Sequence, residues 1–87
     1  MGKKVIWKFE LPLTDGGDIL MPDGAVLLSV QMQSGVPVLW AIVDPTGEPK
    51  ARRFCFIGTG HNFNDVNLIF VGTVQQTPFV WHLFEIL

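Results

Sequence analysis

The strongest constraint on this chain is a period-two alternation of apolar and polar residues, cut every several residues by turn-forming pairs. In Val5-Ile6-Trp7-Lys8-Phe9-Glu10, the residues Val5, Trp7 and Phe9 share one face and Lys8 and Glu10 the other, the pattern of a half-buried strand. Residues 25–33 repeat it, with Val26, Leu28, Val30 and Met32 expected on one side and Ser29, Gln31 and Gln33 on the other. No amphipathic segment of 3.6-residue period is long enough for a stable helix.

The punctuation is equally regular. Pro22-Asp23-Gly24 reads as a turn because proline presets φ and glycine accepts the left-handed position. Ser34-Gly35 signals a tight hairpin, with Pro37–Val43 as the returning strand; Asp44–Lys50 reads as a loop. Further strands are expected over Arg52–Ile57, Val66–Val74 and Phe79–Glu85, broken by Gln75-Gln76-Thr77-Pro78. Thr14–Asp18 reads as a flexible loop, and Ile19-Leu20-Met21 as a short extended piece. The predicted fold is all-β: a mostly antiparallel meander of about six strands over residues 1–87, forming a curled sheet, a sandwich or a small barrel.

Eighty-seven residues suffice for one core. Against that size, the chain is 48% hydrophobic and 16% charged, where about 25% charged is usual. A small monomer needs polar cover, so the surplus predicts a homo-oligomer. No apolar run reaches the roughly 18 residues that span a bilayer. Lys8 and Glu10 interrupt any signal-peptide pattern, and Ile6 stands where an N-myristoylation motif at Gly2 needs Ser or Thr. The single cysteine, Cys55, excludes an intrachain disulfide, and a cytoplasmic location is expected. A net charge of −2 argues against polymeric nucleic acid, which calls for a basic face.

Catalytic signals are sparse. There is no Gly-x-Ser-x-Gly elbow, and Cys55 between Phe54 and Phe56 reads as an inert thiol. His61, His82, Asp65 and Glu85 lack metal-site spacing. The chain is therefore read as a non-enzyme without cofactor or metal.

Binding chemistry concentrates in the stretch 51–61. Arg52 and Arg53 must point to opposite faces of a strand, and either offers a planar fork of donors to phosphate. Gly58-Thr59-Gly60-His61 can turn successive backbone amides toward an anion. Gln75 and Gln76 could read a base edge. Trp7, Trp40 and Trp81 can stack on a base or fill the core, the core being expected for two of them, and His82 faces away from Trp81. The tetrad Phe56-Ile57-Gly58-Thr59 returns as Phe70-Val71-Gly72-Thr73, an echo short enough to arise without duplication.

The blocks Lys4–Phe9, Met21–Ala25, Leu39-Trp40-Ala41, Gly58–His61 and Val80–Glu85, in this order, resemble a family of short, uncharacterised phage-associated proteins. That family is similar to small oligomeric viral sponges that sequester the cyclic nucleotide signals of antiphage defence. The resemblance implies tight binding without hydrolysis, in pockets between subunits, within the host cytoplasm. Arg52 or Arg53 would meet phosphate, Gly58, Thr59, Gly60 and His61 would cradle it, and Gln75, Gln76, Trp81 and His82 would complete the site. The competing expectation is a phage structural or host-protein-binding module with no nucleotide ligand.

Overall fold

A computed structural model describes residues 3–12 and 17–87; Gly2 and the part of the expected loop at Thr14–Gly16 lie outside that range. Among the described residues there are seven strands: β1 (Val5–Glu10), β2 (Gly17–Pro22), β3 (Val26–Gln33), β4 (Val36–Val43), β5 (Pro49–Gly58), β6 (Leu68–Gln76) and β7 (Phe79–Ile86). No helix occurs among the described residues. The expected count of about six misses β2, whose backbone pairs along β5 from Gly17↔Phe54 to Pro22↔Pro49. Its glycine, aspartate and proline hid a strand whose only continuous apolar run is Ile19-Leu20-Met21.

The strands form two antiparallel sheets, ordered β1-β4-β3 and β2-β5-β7-β6. Only β3–β4 and β6–β7 join neighbours in sequence, so the chain is not a simple meander. Ser34 and Gly35 both take positive φ, at 51° and 81°, as a tight hairpin turn whose twist matches its strands requires. The β6–β7 turn runs through Thr77 and Pro78, joined by a cis peptide bond. It begins two residues later than expected, because Gln75 and Gln76 still pair with Val80 and Phe79. At the β4–β5 connection, Asp44 accepts bonds from the Thr46 hydroxyl (2.7 Å) and amide (3.0 Å), which hold its carboxyl below the usual range.

One apolar core lies between the sheets, where Leu39, Ala41, Val43 and Val30 meet Met21, Phe54, Val74 and Leu83. The alternation expected for β3 fails midway. A bulge between Leu27 and Ser29 shifts the register, so Leu27, Val30 and Met32 face the core while Val26 and Leu28 turn outward and are exposed. An inserted residue inverts the face of everything after it. A second bulge, between Phe70 and Gly72, brings Gly72 against β3; a Cβ there would stand 2.7 Å from Val30 Cγ1.

None of the three tryptophans is fully buried: Trp40 and Trp81 are half-buried and Trp7 is 41% exposed. Cys55 is half-buried on the outer face of the four-stranded sheet, paired with Phe84, and not in the core. Burial raises its thiol pKa, leaving less thiolate.

The Gly72–Val30 approach predicts that Gly72→Val lowers stability by about 1–3 kcal/mol through overpacking. Denaturant unfolding of Gly72→Val and of Val30→Ala/Gly72→Val measures this, the second substitution recovering part of the loss.

Candidate functional site

Strand β5 carries Arg52, Arg53 and Gly58 of the expected site residues and leads into Thr59–His61, but it separates the arginines from the turn. Its antiparallel pairing with β7 sets Arg53 opposite Ile86 at one end and Gly58 opposite Trp81 at the other. Five residues of extended chain put these ends about 17 Å apart. The arginines and the Gly58–His61 turn therefore form two groups, each beside its own concavity.

In the first group the two arginines do face opposite ways. Arg52 lies on the core face. Its Nε and NH2 donate to Glu85 Oε2 and Oε1 at 2.7 and 2.8 Å, and its NH1 donates to the Ala25 carbonyl at 2.6 Å. All three guanidinium nitrogens are thus engaged. Glu85 is the one buried charged residue among those described, so the fork–fork geometry is what makes its burial tolerable. The hydrogen bonds to Glu85 raise the Arg52 pKa, against the opposing effect of desolvation. Arg53 is on the outer face and mostly in solvent, with only a 3.2 Å contact from Nε to exposed Asp18 Oδ1. A shallow hollow of about 270 Å³ beside Asp18, Arg53 and Leu87 carries both signs of charge.

The second group surrounds a cleft of about 300 Å³ lined by Gly58, Thr59, His61, Pro78, Phe79, Val80 and Trp81. Its floor is a turn: the His61 amide donates to the Gly58 carbonyl at 3.1 Å, and Gly60 between them has φ +88°. The Thr59 amide donates to the Val80 carbonyl at 3.2 Å, fastening the turn to the start of β7. His61 stands edge-on to Trp81, their ring centres 6.4 Å apart, and Phe79 lies 5.8 Å from Trp81 on the other side. Gln76 Oε1 accepts a bond from Trp81 Nε1 at 3.3 Å, holding the indole. Gln76 supports the wall; Gln75 is exposed and points to the other face.

His82 is drawn away from the cleft. Its Nε2 lies 2.7 Å from Thr59 Oγ1 and its Nδ1 2.9 Å from Thr73 Oγ1 on the outer sheet face. These threonines are the last residues of the two echoed tetrads, so one imidazole bridges the repeated positions. Phe79 and Pro78 were missed from sequence; the only signal for them was their adjacency to Trp81 across a turn. No group of three or more His, Cys, Asp or Glu side chains that could hold a metal occurs among the described residues, nor does any helix long and apolar enough to cross a membrane.

The structure defines a small all-β protein with two antiparallel sheets and an aromatic-walled cleft at one end. Residues 2–86 match the family model for a domain of unknown function, DUF7352, and the chain belongs to that family. No curated protein and no solved structure matches it.

Because Gly60 holds φ +88°, Gly60→Val is expected to cost about 1–3 kcal/mol and to reshape the cleft floor. Thermal unfolding checks it; an unchanged melting temperature would mean that the turn does not need the left-handed residue.

Proposed function

We propose that this domain is a non-catalytic binding protein that sequesters a small anionic nucleotide, with the ring-walled cleft holding the base. The observation that carries the reading is the wall of His61, Phe79 and Trp81 beside the Gly58–His61 turn. Planar side chains accept any base through stacking. Since the Thr59 and His61 amides are already bonded to Val80 and Gly58, phosphate would be met chiefly by Arg53 of a neighbouring copy, a local cation that needs no broad basic surface. That reconciles an anionic ligand with a net charge of −2.

A volume near 300 Å³ is at the small end for ligand pockets and suits one nucleoside-sized unit. A cyclic di- or trinucleotide would then be shared by clefts of more than one copy, in keeping with an oligomer. Of the two arginines, Arg53 is the one able to exchange its weak partner for phosphate, reaching the ligand from a neighbouring copy. The resemblance to short phage-associated proteins supports a role as an anti-defence sponge for cyclic nucleotide signals in the host cytoplasm. A sandwich or a partly closed barrel, with β3 against β6 as the seam, is the finer architecture that this reading carries.

A second reading, a structural or host-protein-binding module, is favoured by the exposed side chains of Ile6, Val26 and Leu28 on the outer face of the three-stranded sheet. The two readings separate in a thermal-shift screen against cyclic di- and trinucleotides and cyclic ADP-ribose isomers. Sequestration predicts saturable stabilisation by one compound, about 2.7 kcal/mol at a hundredfold excess over Kd, and recovery of that compound uncleaved. Arg53→Ala should weaken this shift without changing the ligand-free melting temperature. A flat screen across all the compounds would reject the nucleotide reading, and a cleaved product would make the protein an enzyme.

A further inference from the structure

We propose that β1 is a dimerisation edge, pairing antiparallel with β1 of a second copy about a two-fold axis that passes beside Trp7. The two three-stranded sheets then become one continuous six-stranded sheet. This inference is independent of what the cleft binds.

Among the described residues β1 ends its sheet, paired with β4 on one side only. The direction of its free groups follows from one bond. The Leu11 amide donates to the Pro37 carbonyl at 2.9 Å, and the same register sets Phe9 opposite Leu39, Trp7 opposite Ala41 and Val5 opposite Val43. In an antiparallel ladder alternate residues direct both backbone groups to the same side. The odd residues of β1 thus bond β4, and Ile6, Lys8 and Glu10 present their N–H and C=O groups at the open edge. Such an edge is a template for another strand.

Side-chain exposure points to the same place. Trp7 and Val5 face the core side, yet they remain 41% and 39% exposed. On the opposite face Ile6 is 61% exposed. These apolar groups flank an unpaired backbone on both sides, which a second strand would cover together. Lysine in an edge strand commonly blocks such pairing. Here the Lys8 ammonium is drawn back over its own sheet to Gln33 Oε1, at 2.7 Å.

Charge selects the partner and the register. A two-fold axis perpendicular to the sheet keeps both cores on one side and makes the contact isologous. Residues opposite each other must then share a face, so only even-with-even or odd-with-odd pairings are allowed. With Trp7 opposite the second copy's Trp7, Val5 meets Phe9, Ile6 meets Lys8, and Lys4 meets Glu10, the last pair occurring twice by symmetry. One step of register in one direction sets Lys4 against Lys8 twice. One step in the other sets Lys8 against Lys8, and a further step, although it sets Lys8 against Glu10 twice, opposes Ile6 with Pro12, which has no N–H to give. The strand is self-complementary in one register. There the Trp7 pair falls at a non-hydrogen-bonded position, where cross-strand side chains approach most closely.

The test is sedimentation of the full chain without nucleotide, comparing wild type with Lys4→Glu, Glu10→Lys and the double variant. Both positions are exposed, so the fold should survive each change, as circular dichroism can verify. Wild type is expected at twice the 9.7 kDa chain mass. Either reversal alone sets like charges opposite each other twice and should weaken dimerisation roughly tenfold; the double variant should restore it. A wild-type particle of 9.7 kDa, single variants that dimerise like wild type, or a folded double variant that fails to recover would each overturn the proposal.

Discussion

The interaction on which the rest of this structure depends is the bidentate contact of Arg52 with Glu85, closed by the Ala25 carbonyl. β5 and β7 are the central strands of the larger sheet, and Ala25 precedes β3 in the smaller one. One guanidinium therefore links two strands of one sheet to the chain entering the other. Glu85 sits in an environment that would reject an unpaired carboxylate, and Arg52 supplies two of its bonds. The tie also decides chemistry elsewhere. Arg52 is held on the core side with every guanidinium nitrogen already bonded, which leaves the outward Arg53 as the cation of this pair better suited to phosphate.

At the opposite end of β5 the constraints are steric. The close approach of Gly72 to Val30 lets the sheets converge, while Gly58 leaves room for the His61 ring, which a Cβ there would meet at 2.8 Å. Between these glycines β7 delivers Trp81 to the cleft and His82 to the outer face, where two threonines hold it. A chain this small cannot bury all its apolar residues against itself. Part of the remainder lies on β1 at Val5, Ile6 and Trp7, on the outer sheet face at Val26 and Leu28, and at Phe79 beside the cleft, surfaces the proposed functions use.

Much of the fold was legible in the sequence because its signals are local. Alternation marked β1 and the existence of β3, and Ser34-Gly35 marked a turn whose two positive φ angles the structure carries. The opposite facing of Arg52 and Arg53 follows from strand geometry alone. What escaped was non-local. β2 is a strand because β5 offers it a partner, not because Gly17-Asp18 favours extension. The bulge at Leu27–Ser29 left no composition signal, so the faces of Val26 and Leu28 were misassigned. The site residues were found by type but not by grouping: nothing in the sequence stated that Glu85 would claim Arg52, or that β5 would hold the arginines and the Gly58–His61 turn at opposite ends.

The most direct measurement is a double-mutant cycle on the tie: urea unfolding of wild type, Arg52→Met, Glu85→Gln and the pair. Each single change should destabilise the fold, by about 2 kcal/mol for Arg52→Met, since the guanidinium keeps some contact with water. The pair should cost less than the sum of the two, with a coupling energy of about 1–3 kcal/mol. Strict additivity, or single variants as stable as wild type, would contradict the claim that the fold depends on this contact.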